Sequence, residues 1–104
     1  MPFFDHLISH TNFSAEDKVA TPLFESDPLT VMLVGFEPGQ SIPEHAGPAG
    51  AFYVLDGRGW ISIEGERQEV RPGMVAIAPE GAGRSIEAKT RMTILASRGK
   101  HHES

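Results

Sequence analysis

The chemistry open to this 104-residue sequence centres on His45 and Arg84. An imidazole can hold a divalent metal ion or exchange a proton near neutral pH. A guanidinium is a permanent cation whose planar fork matches a carboxylate or a phosphate. The sequence contains five histidines and no cysteine. Thiol nucleophiles, disulfides and cysteine-ligated metal centres are therefore excluded.

Other catalytic arrangements find less support in the sequence. The remaining histidines lie close to the ends of the chain, at His6, His10, His101 and His102. Terminal segments are usually mobile, so these side chains are poor candidates for completing a metal site. Ser85 and His45 could form a nucleophile and base pair, but no aspartate is placed to complete a triad. The glycines fall singly at turns, without the phosphate-binding loop that precedes a helix.

Composition indicates what kind of scaffold must position the two candidate residues. The chain has 11 glycines and 8 prolines, and 39% of its residues are hydrophobic. Glycine and proline together are about half as frequent again as in ordinary proteins. The length limits the chain to one domain. These proportions favour many short strands joined by tight turns over a helical bundle.

Short apolar runs that end in turn residues predict eight or nine strands and no long helix. The predicted strands are Val19–Phe24, Leu29–Phe36, Ser41–His45, Ala51–Asp56, Trp60–Glu64, Glu66–Val70, Met74–Pro79, Arg84–Ala88 and Arg91–Ser97. Pro22 places the first strand at a sheet edge, because proline has no N–H to donate. The pair Asp56-Gly57 predicts a hairpin turn. Such spacing predicts an all-β sandwich or barrel, with a jelly roll of two Greek keys among the options.

The patterns divide the chain into an N-terminal arm (1–18), a β-barrel (19–98) and a polar tail (99–104). Apolar residues from Phe3 to Ile8 recur at helical spacing and predict a short helix in the arm. Ser14 and the acid three residues later resemble a capping box for one further turn.

Charge and hydropathy predict neither nucleic acid nor membrane as a partner. The net charge is −5, and the basic residues of the second half alternate with acids instead of forming a patch. No apolar stretch approaches 18 residues, and the first ten residues lack the basic start of a signal peptide. A cytoplasmic location is the resulting expectation.

Two segments of the sequence resemble the paired motifs of the cupin superfamily. They are residues 38–59 (PGQSIPEHAGPAGAFYVLDGRG) and residues 72–84 (PGMVAIAPEGAGR). The resemblance extends over roughly residues 29–97. It implies a double-stranded β-helix, the jelly-roll barrel of cupins, and pairing of two copies through edge strands into a homodimer. Tyr53 and Trp60 could be platforms for a substrate, but such aromatic side chains more often pack in a core or in a dimer interface.

The same resemblance implies that the usual cupin metal centre is missing. A typical cupin holds a divalent metal with three histidines and one glutamate. Of these four positions only the first is retained, as His45; the others are Gly47, Gly50 and Arg84. Glycine offers no lone pair and arginine repels a metal ion. Neither a metal nor another cofactor is therefore expected.

With the metal positions changed, Arg84 is expected to point into the barrel near His45. The candidate ligand-binding residues are His45, Arg84, Phe52, Val54 and Ile61. A buried guanidinium needs compensation, since an unpaired buried charge costs several kcal/mol. His45 and Arg84 could together hold a carboxylate or phosphate. Alternatively, Arg84 could pair with Glu44 or Glu87, or extend into water.

Three functions are compatible with these observations. The first is a small cupin that binds or senses a small, anionic molecule inside the barrel. The second is an enzyme, either a metal-dependent oxygenase or isomerase with atypical ligands or a metal-free isomerase. The third is a structural dimer without a small ligand. The fold alone does not choose among them, because cupins host many activities.

Overall fold

A computed structural model describes residues 3–100 of the chain. Nine strands account for most of its regular structure: β1 Val19–Glu25, β2 Thr30–Phe36, β3 Ser41–Ala46, β4 Gly50–Asp56, β5 Gly59–Ile63, β6 Glu66–Val70, β7 Val75–Ala78, β8 Gly83–Ala88 and β9 Met92–Arg98. The polar end of the chain, with His101 and His102, lies outside the described residues.

The strands form two antiparallel sheets. One sheet has five strands in the order β1-β2-β9-β4-β7, and the other has four in the order β3-β8-β5-β6. The chain crosses repeatedly from one sheet to the other, which makes the fold a double-stranded β-helix barrel. The all-β jelly-roll prediction is therefore confirmed. β1, which carries Pro22, is an edge strand as predicted, and its pairing shifts register just after that proline.

The core lies between the two sheets and draws on alternate residues of both. Each of its central residues is at most 4% exposed: Val34, Phe36, Val54, Ile61, Val70, Ile86, Ala88, Met92 and Ile94. Alternation along a strand sends every second side chain to the same face. The neighbours of these core residues along each strand consequently face outward.

The predicted hairpin at Asp56-Gly57 is wrong. β4 belongs to the five-stranded sheet and β5 to the four-stranded sheet, so this turn carries the chain between sheets. Gly57 has a φ of +79°, and a Cβ added there would lie 2.0 Å from the carbonyl oxygen of Arg91. The glycine thus permits a close backbone crossing. The two-residue hairpin occurs instead at Glu64-Gly65, between β5 and β6, where both residues have positive φ.

The N-terminal arm covers part of the outer face of the five-stranded sheet. Its helix is a single 3₁₀ turn at Leu7–His10. The predicted capping box is wrong, because the Ser14 hydroxyl binds the Glu16 carboxylate (2.7 Å) in a non-helical bend. At Gly35 on β2, a Cβ would lie 2.2 Å from the carbonyl oxygen of Asn12, so only glycine lets the arm approach. Within residues 3–100, the helical content includes nothing long and apolar enough to cross a bilayer.

Candidate functional site

A bulge in β3 places His45 on the inner face of the barrel. β3 pairs with β8 so that Ile42 lies opposite Ile86 and His45 lies opposite Arg84. Between these pairs, two residues of β3 stand opposite one residue of β8. In a regular strand, side chains three residues apart would face opposite sides of the sheet. The extra residue therefore returns His45 to the side occupied by Ile42 and the core.

Arg84 is buried, with 4% of its surface exposed, and its guanidinium binds backbone carbonyl groups. Nε and Nη2 donate to the carbonyl oxygen of Ala82 (3.1 and 2.9 Å). Nη2 also donates to Gly47 (3.0 Å) and Pro79 (3.3 Å), and Nη1 donates to Pro48. The side chain consequently fastens the loop after β3 to the turn before β8.

Two expectations for the charge of Arg84 are wrong, namely that a protein carboxylate compensates it or that the side chain extends into water. Among the described residues, Glu87 forms its ion pair with Arg67 (3.2 Å), and Glu44 forms none. The carbonyl groups of two converging loops already surround the guanidinium, so the side chain has no reason to extend outward. Burial lowers the pKa of Arg84 from its ordinary value, yet a guanidinium stays protonated at physiological pH. The result is a fixed internal cation whose compensation comes from peptide dipoles.

Next to this cation lies a cavity of about 110 Å³ between the two sheets. Most of its wall is apolar, formed by Met32, Val34, Ile42, Pro48, Phe52, Ile86, Ile94 and Ala96. Its polar contacts are His45, Arg84 and Arg98. The structure therefore brings three of the five candidate residues (His45, Phe52 and Arg84) to one cavity.

The other two candidates lie elsewhere. Val54 is fully buried in the core, and Ile61 is 2% exposed. Ile61 borders a separate, open cleft formed by β5, β6 and β7. Both residues belong to the hydrophobic core and do not line this cavity.

Sequence reasoning missed Arg98, which is the last residue of β9. It follows Ile94 and Ala96 at intervals of two, so it shares their inner face. It lies opposite Gly50 of β4 and Thr30 of β2. The alternation along β9 is readable in the sequence, although nothing in the residue types separates Arg98 from the other dispersed basic residues of the second half.

His45, Pro48 and Arg98 also border a second cleft, which contains Asp27 and Lys100 and opens to the surface. The cavity and this cleft thus share three lining residues, and together they form the mouth of the barrel. The Nδ1 atom of His45 lies 3.0 Å from the carbonyl oxygen of Pro43. A carbonyl oxygen only accepts, so Nδ1 carries a proton and Nε2 is left to accept a hydrogen bond in the neutral ring.

A sequence profile of the cupin domain matches residues 32–102. The chain belongs to the cupin family. No protein of curated function matches the sequence significantly. The profile match spans both segments in which the cupin motifs were identified.

Solved structures show the same cupin fold. The TT1209 protein of Thermus thermophilus is 24% identical with a TM-score of 0.90, covering 98% of this chain and 100% of that one. An RmlC-like cupin of Desulfovibrio desulfuricans is 22% identical with a TM-score of 0.83, covering 93% and 95%. A mutant salicylate 1,2-dioxygenase of Pseudoaminobacter salicylatoxidans, in complex with gentisate, is 16% identical with a TM-score of 0.75, covering 84% and 26%. At these identities the likeness shows the fold alone.

The residues of this cupin do not fit a metal ion of the usual kind. A Cβ on Gly47 would lie 3.5 Å from Cζ of Arg84, and a Cβ on Gly50 would lie 3.5 Å from Nη1. A side chain at either position would therefore begin in van der Waals contact with the guanidinium. Within residues 3–100, no three histidine, cysteine or acidic side chains are grouped to share a metal ion. The Arg84 cation fills the space into which ligands at positions 47 and 50 would point.

Proposed function

We propose that this cupin binds a small, mainly apolar molecule that carries one negative charge, in the cavity at the mouth of the barrel. A single observation carries the proposal: an apolar cavity ends at two arginines, and neither forms an ion pair among the described residues. Binding sites for small molecules are mostly apolar, with a few placed polar groups that fix orientation.

The two parts of the cavity select for two parts of a ligand. The walls contributed by Phe52, Ile86 and Ile94 exclude water and favour an apolar body. The guanidinium groups attract an anion more strongly than they would in bulk water, because the surroundings have a lower effective dielectric constant. A small carboxylate combines both features in a volume that this cavity can accept.

Calorimetric titration with matched ligand pairs tests the proposal. The probes are phenylacetate with phenylacetamide and hexanoate with hexanamide, because each amide keeps the shape of its acid without the charge. We expect the carboxylates to bind and the amides to bind more weakly. Equal affinities would contradict the role of charge, and the absence of binding by all four at millimolar concentration would contradict the proposal as a whole.

A pair of variants locates the binding to the cavity. Ala96→Leu adds apolar volume inside the cavity wall, whereas Ala15→Leu makes the same change at an exposed position of the arm. We expect Ala96→Leu to abolish carboxylate binding and Ala15→Leu to leave it unchanged. Circular dichroism checks that both variants retain the fold. Binding that persists in folded Ala96→Leu would place the ligand elsewhere.

A metal-free isomerase is the second candidate, and His45 is the observation that favours it. Its Nε2 atom is free of the Pro43 contact, and its side chain lines the cavity. A neutral imidazole in this state can accept a proton from a carbon beside a carboxylate. Exchange of that proton for deuterium, measured by NMR on phenylacetate in heavy water, would favour catalysis. The absence of exchange would leave binding as the function.

A further inference from the structure

We propose that the negative charge of the ligand is bound by Arg98 at the mouth of the barrel, and that Arg84 shapes the mouth without contacting that charge. The inference rests on the proposed function and assigns different roles to two arginines that line one cavity. It identifies the ligand class as an amphipathic carboxylate, with its apolar end inside and its charged end facing the mouth.

The hydrogen bonds of Arg84 remove it from ligand recognition. All three of its nitrogen atoms already donate to carbonyl oxygens, and Nη2 alone has three acceptors. Bidentate recognition of a carboxylate needs two parallel N–H groups on one edge of the guanidinium. Turning the fork toward a ligand would strip hydrogen bonds from two loops at once. Arg84 therefore contributes a fixed positive charge and holds the two loops at the mouth of the barrel together.

The fork of Arg98 is available by contrast. Arg98 is exposed, lies on the inner face of β9 and borders both the cavity and the cleft outside it. It forms no hydrogen bond or ion pair through its side chain with any other residue in the range 3–100. Its neighbour across the sheet is Gly50, which has no side chain to fill the space beside it. A ligand carboxylate can thus reach the guanidinium from the cavity side.

The other charges at the mouth also favour an anion. Lys100 and His45 border the cleft together with Arg98, whereas Asp27 is the acid that borders it. Glu25 lies one strand further out, opposite Thr30 of β2. Two basic side chains and one imidazole therefore face one carboxylate at the cleft itself. A ligand anion at this position would compete with Asp27 for the same cations.

The test measures how strongly each variant prefers phenylacetate to phenylacetamide. We expect the wild-type protein to prefer the acid by roughly tenfold or more, as is usual for a hydrogen bond to a charged group. Arg98→Gln should lose this preference while its affinity for the amide stays the same. Arg58→Gln, which changes an exposed arginine outside both the cavity and the cleft, is the control and should behave as wild type.

The outcomes separate this inference from the proposed function. If the wild-type protein prefers phenylacetate and Arg98→Gln keeps that preference, the role of Arg98 is wrong and the proposed function stands. If the wild-type protein binds none of the four acids and amides, the proposed function is wrong and this assignment falls with it.

Two further variants test the charge recognition through the preference for phenylacetate over phenylacetamide, which a merely structural role of Arg84 would leave unchanged. Asp27→Asn removes the competing carboxylate and should tighten phenylacetate binding severalfold without affecting phenylacetamide. Arg84→Lys keeps the charge but loses the fork, so it should lower thermal stability while the folded protein retains its preference for the acid. Loss of that preference in folded Arg84→Lys would show that Arg84 recognises the charge and would overturn the assignment.

Discussion

The guanidinium of Arg84 is hydrogen bonded to the carbonyl group of Gly47 and also packs against the Cα of this residue. Nη2 donates to the Gly47 carbonyl oxygen at 3.0 Å, and the Cα of this glycine faces the guanidinium so closely that a Cβ would contact Cζ at 3.5 Å. The same carbonyl oxygen accepts the N–H of Gly81 at 2.8 Å. The two loops at the mouth of the barrel are therefore held by one cation and one backbone hydrogen bond.

The first prediction concerns Arg84→Met, which keeps much of the side-chain volume and removes every donor. The carbonyl group of Pro48 loses its Nη1 donor and that of Ala82 loses its Nε and Nη2 donors. The carbonyl groups of Gly47 and Pro79 keep a backbone N–H donor each. An unsatisfied buried carbonyl costs about 1–3 kcal/mol, so for two such groups we expect the free energy of unfolding to fall by about 2–6 kcal/mol. Urea denaturation measures it. Arg58→Met is the control, and an equally small loss in both variants would contradict the role of Arg84 in holding the two loops together.

Local patterns in the sequence predicted the strands of this fold well. Pro22 marked the edge strand, and single glycines marked the turns. The hairpin at Asp56-Gly57 failed because a two-residue signal reports only local backbone conformation. Gly57 does adopt positive φ, but the partners of β4 and β5 are set by contacts across the barrel.

The candidate site was predictable only in part. The family motifs placed His45 and Arg84 together, and the structure pairs them directly across β3 and β8. The bulge that turns His45 inward has no signal in the residue types alone. The acceptors of Arg84 were equally unreadable, since peptide carbonyl groups 36 and 37 residues away point according to loop conformation. Sequence reasoning therefore looked for a side-chain partner where the backbone supplies one.

The second prediction is that Arg84 and a metal ion exclude each other. The triple variant Gly47→His, Gly50→Glu and Arg84→His, together with His45, would supply three imidazoles and one carboxylate around a vacated space. Such a donor set binds first-row divalent ions. We expect this variant to bind Ni²⁺ in a calorimetric titration.

The matched control keeps Arg84 and carries only the other two substitutions. Its guanidinium would still occupy the space beside positions 47 and 50, so we expect no Ni²⁺ binding. Binding of equal affinity in both variants would show that the cation and the metal do not compete for this space.

The third prediction is a pH-dependent attachment of the N-terminal arm. Arg91 donates two hydrogen bonds of 2.9 Å to Glu37, and its guanidinium lies 4.0 Å from the ring centroid of Phe13 in the arm. The hydrogen bond from Arg91 lowers the pKa of Glu37 below its usual value. A lowered carboxyl pKa stabilises the folded state above the unfolded pKa, and this stabilisation is lost as the pH falls through the folded pKa.

We therefore expect Glu37→Gln to lower the melting temperature at pH 7, and this effect to shrink as the pH falls through the lowered folded-state pKa of Glu37, where the wild-type carboxylate becomes protonated. Hydrogen exchange of residues 11–18 should quicken in the variant at pH 7. Glu87→Gln, which breaks a single-bond pair with Arg67 on the surface, is the control. A destabilisation by Glu37→Gln that stays constant as the pH is lowered would contradict the ionic origin of the effect.

The fourth prediction tests the expected homodimer. Tyr53, Val75 and Ile77 are 42, 52 and 61% exposed on the outer face of β4 and β7. Tyr53 lies opposite Val75, and β7 is the edge strand of its sheet, so apolar surface and an open strand edge occur together.

We expect sedimentation equilibrium at micromolar concentration to give twice the 11.3 kDa chain mass for wild type and the chain mass for Ile77→Lys. Phe24→Lys, on the opposite edge strand β1, is the control and should stay dimeric. A monomeric wild-type protein would contradict the predicted dimer. A monomer in Phe24→Lys alone would show that the interface lies on β1 instead.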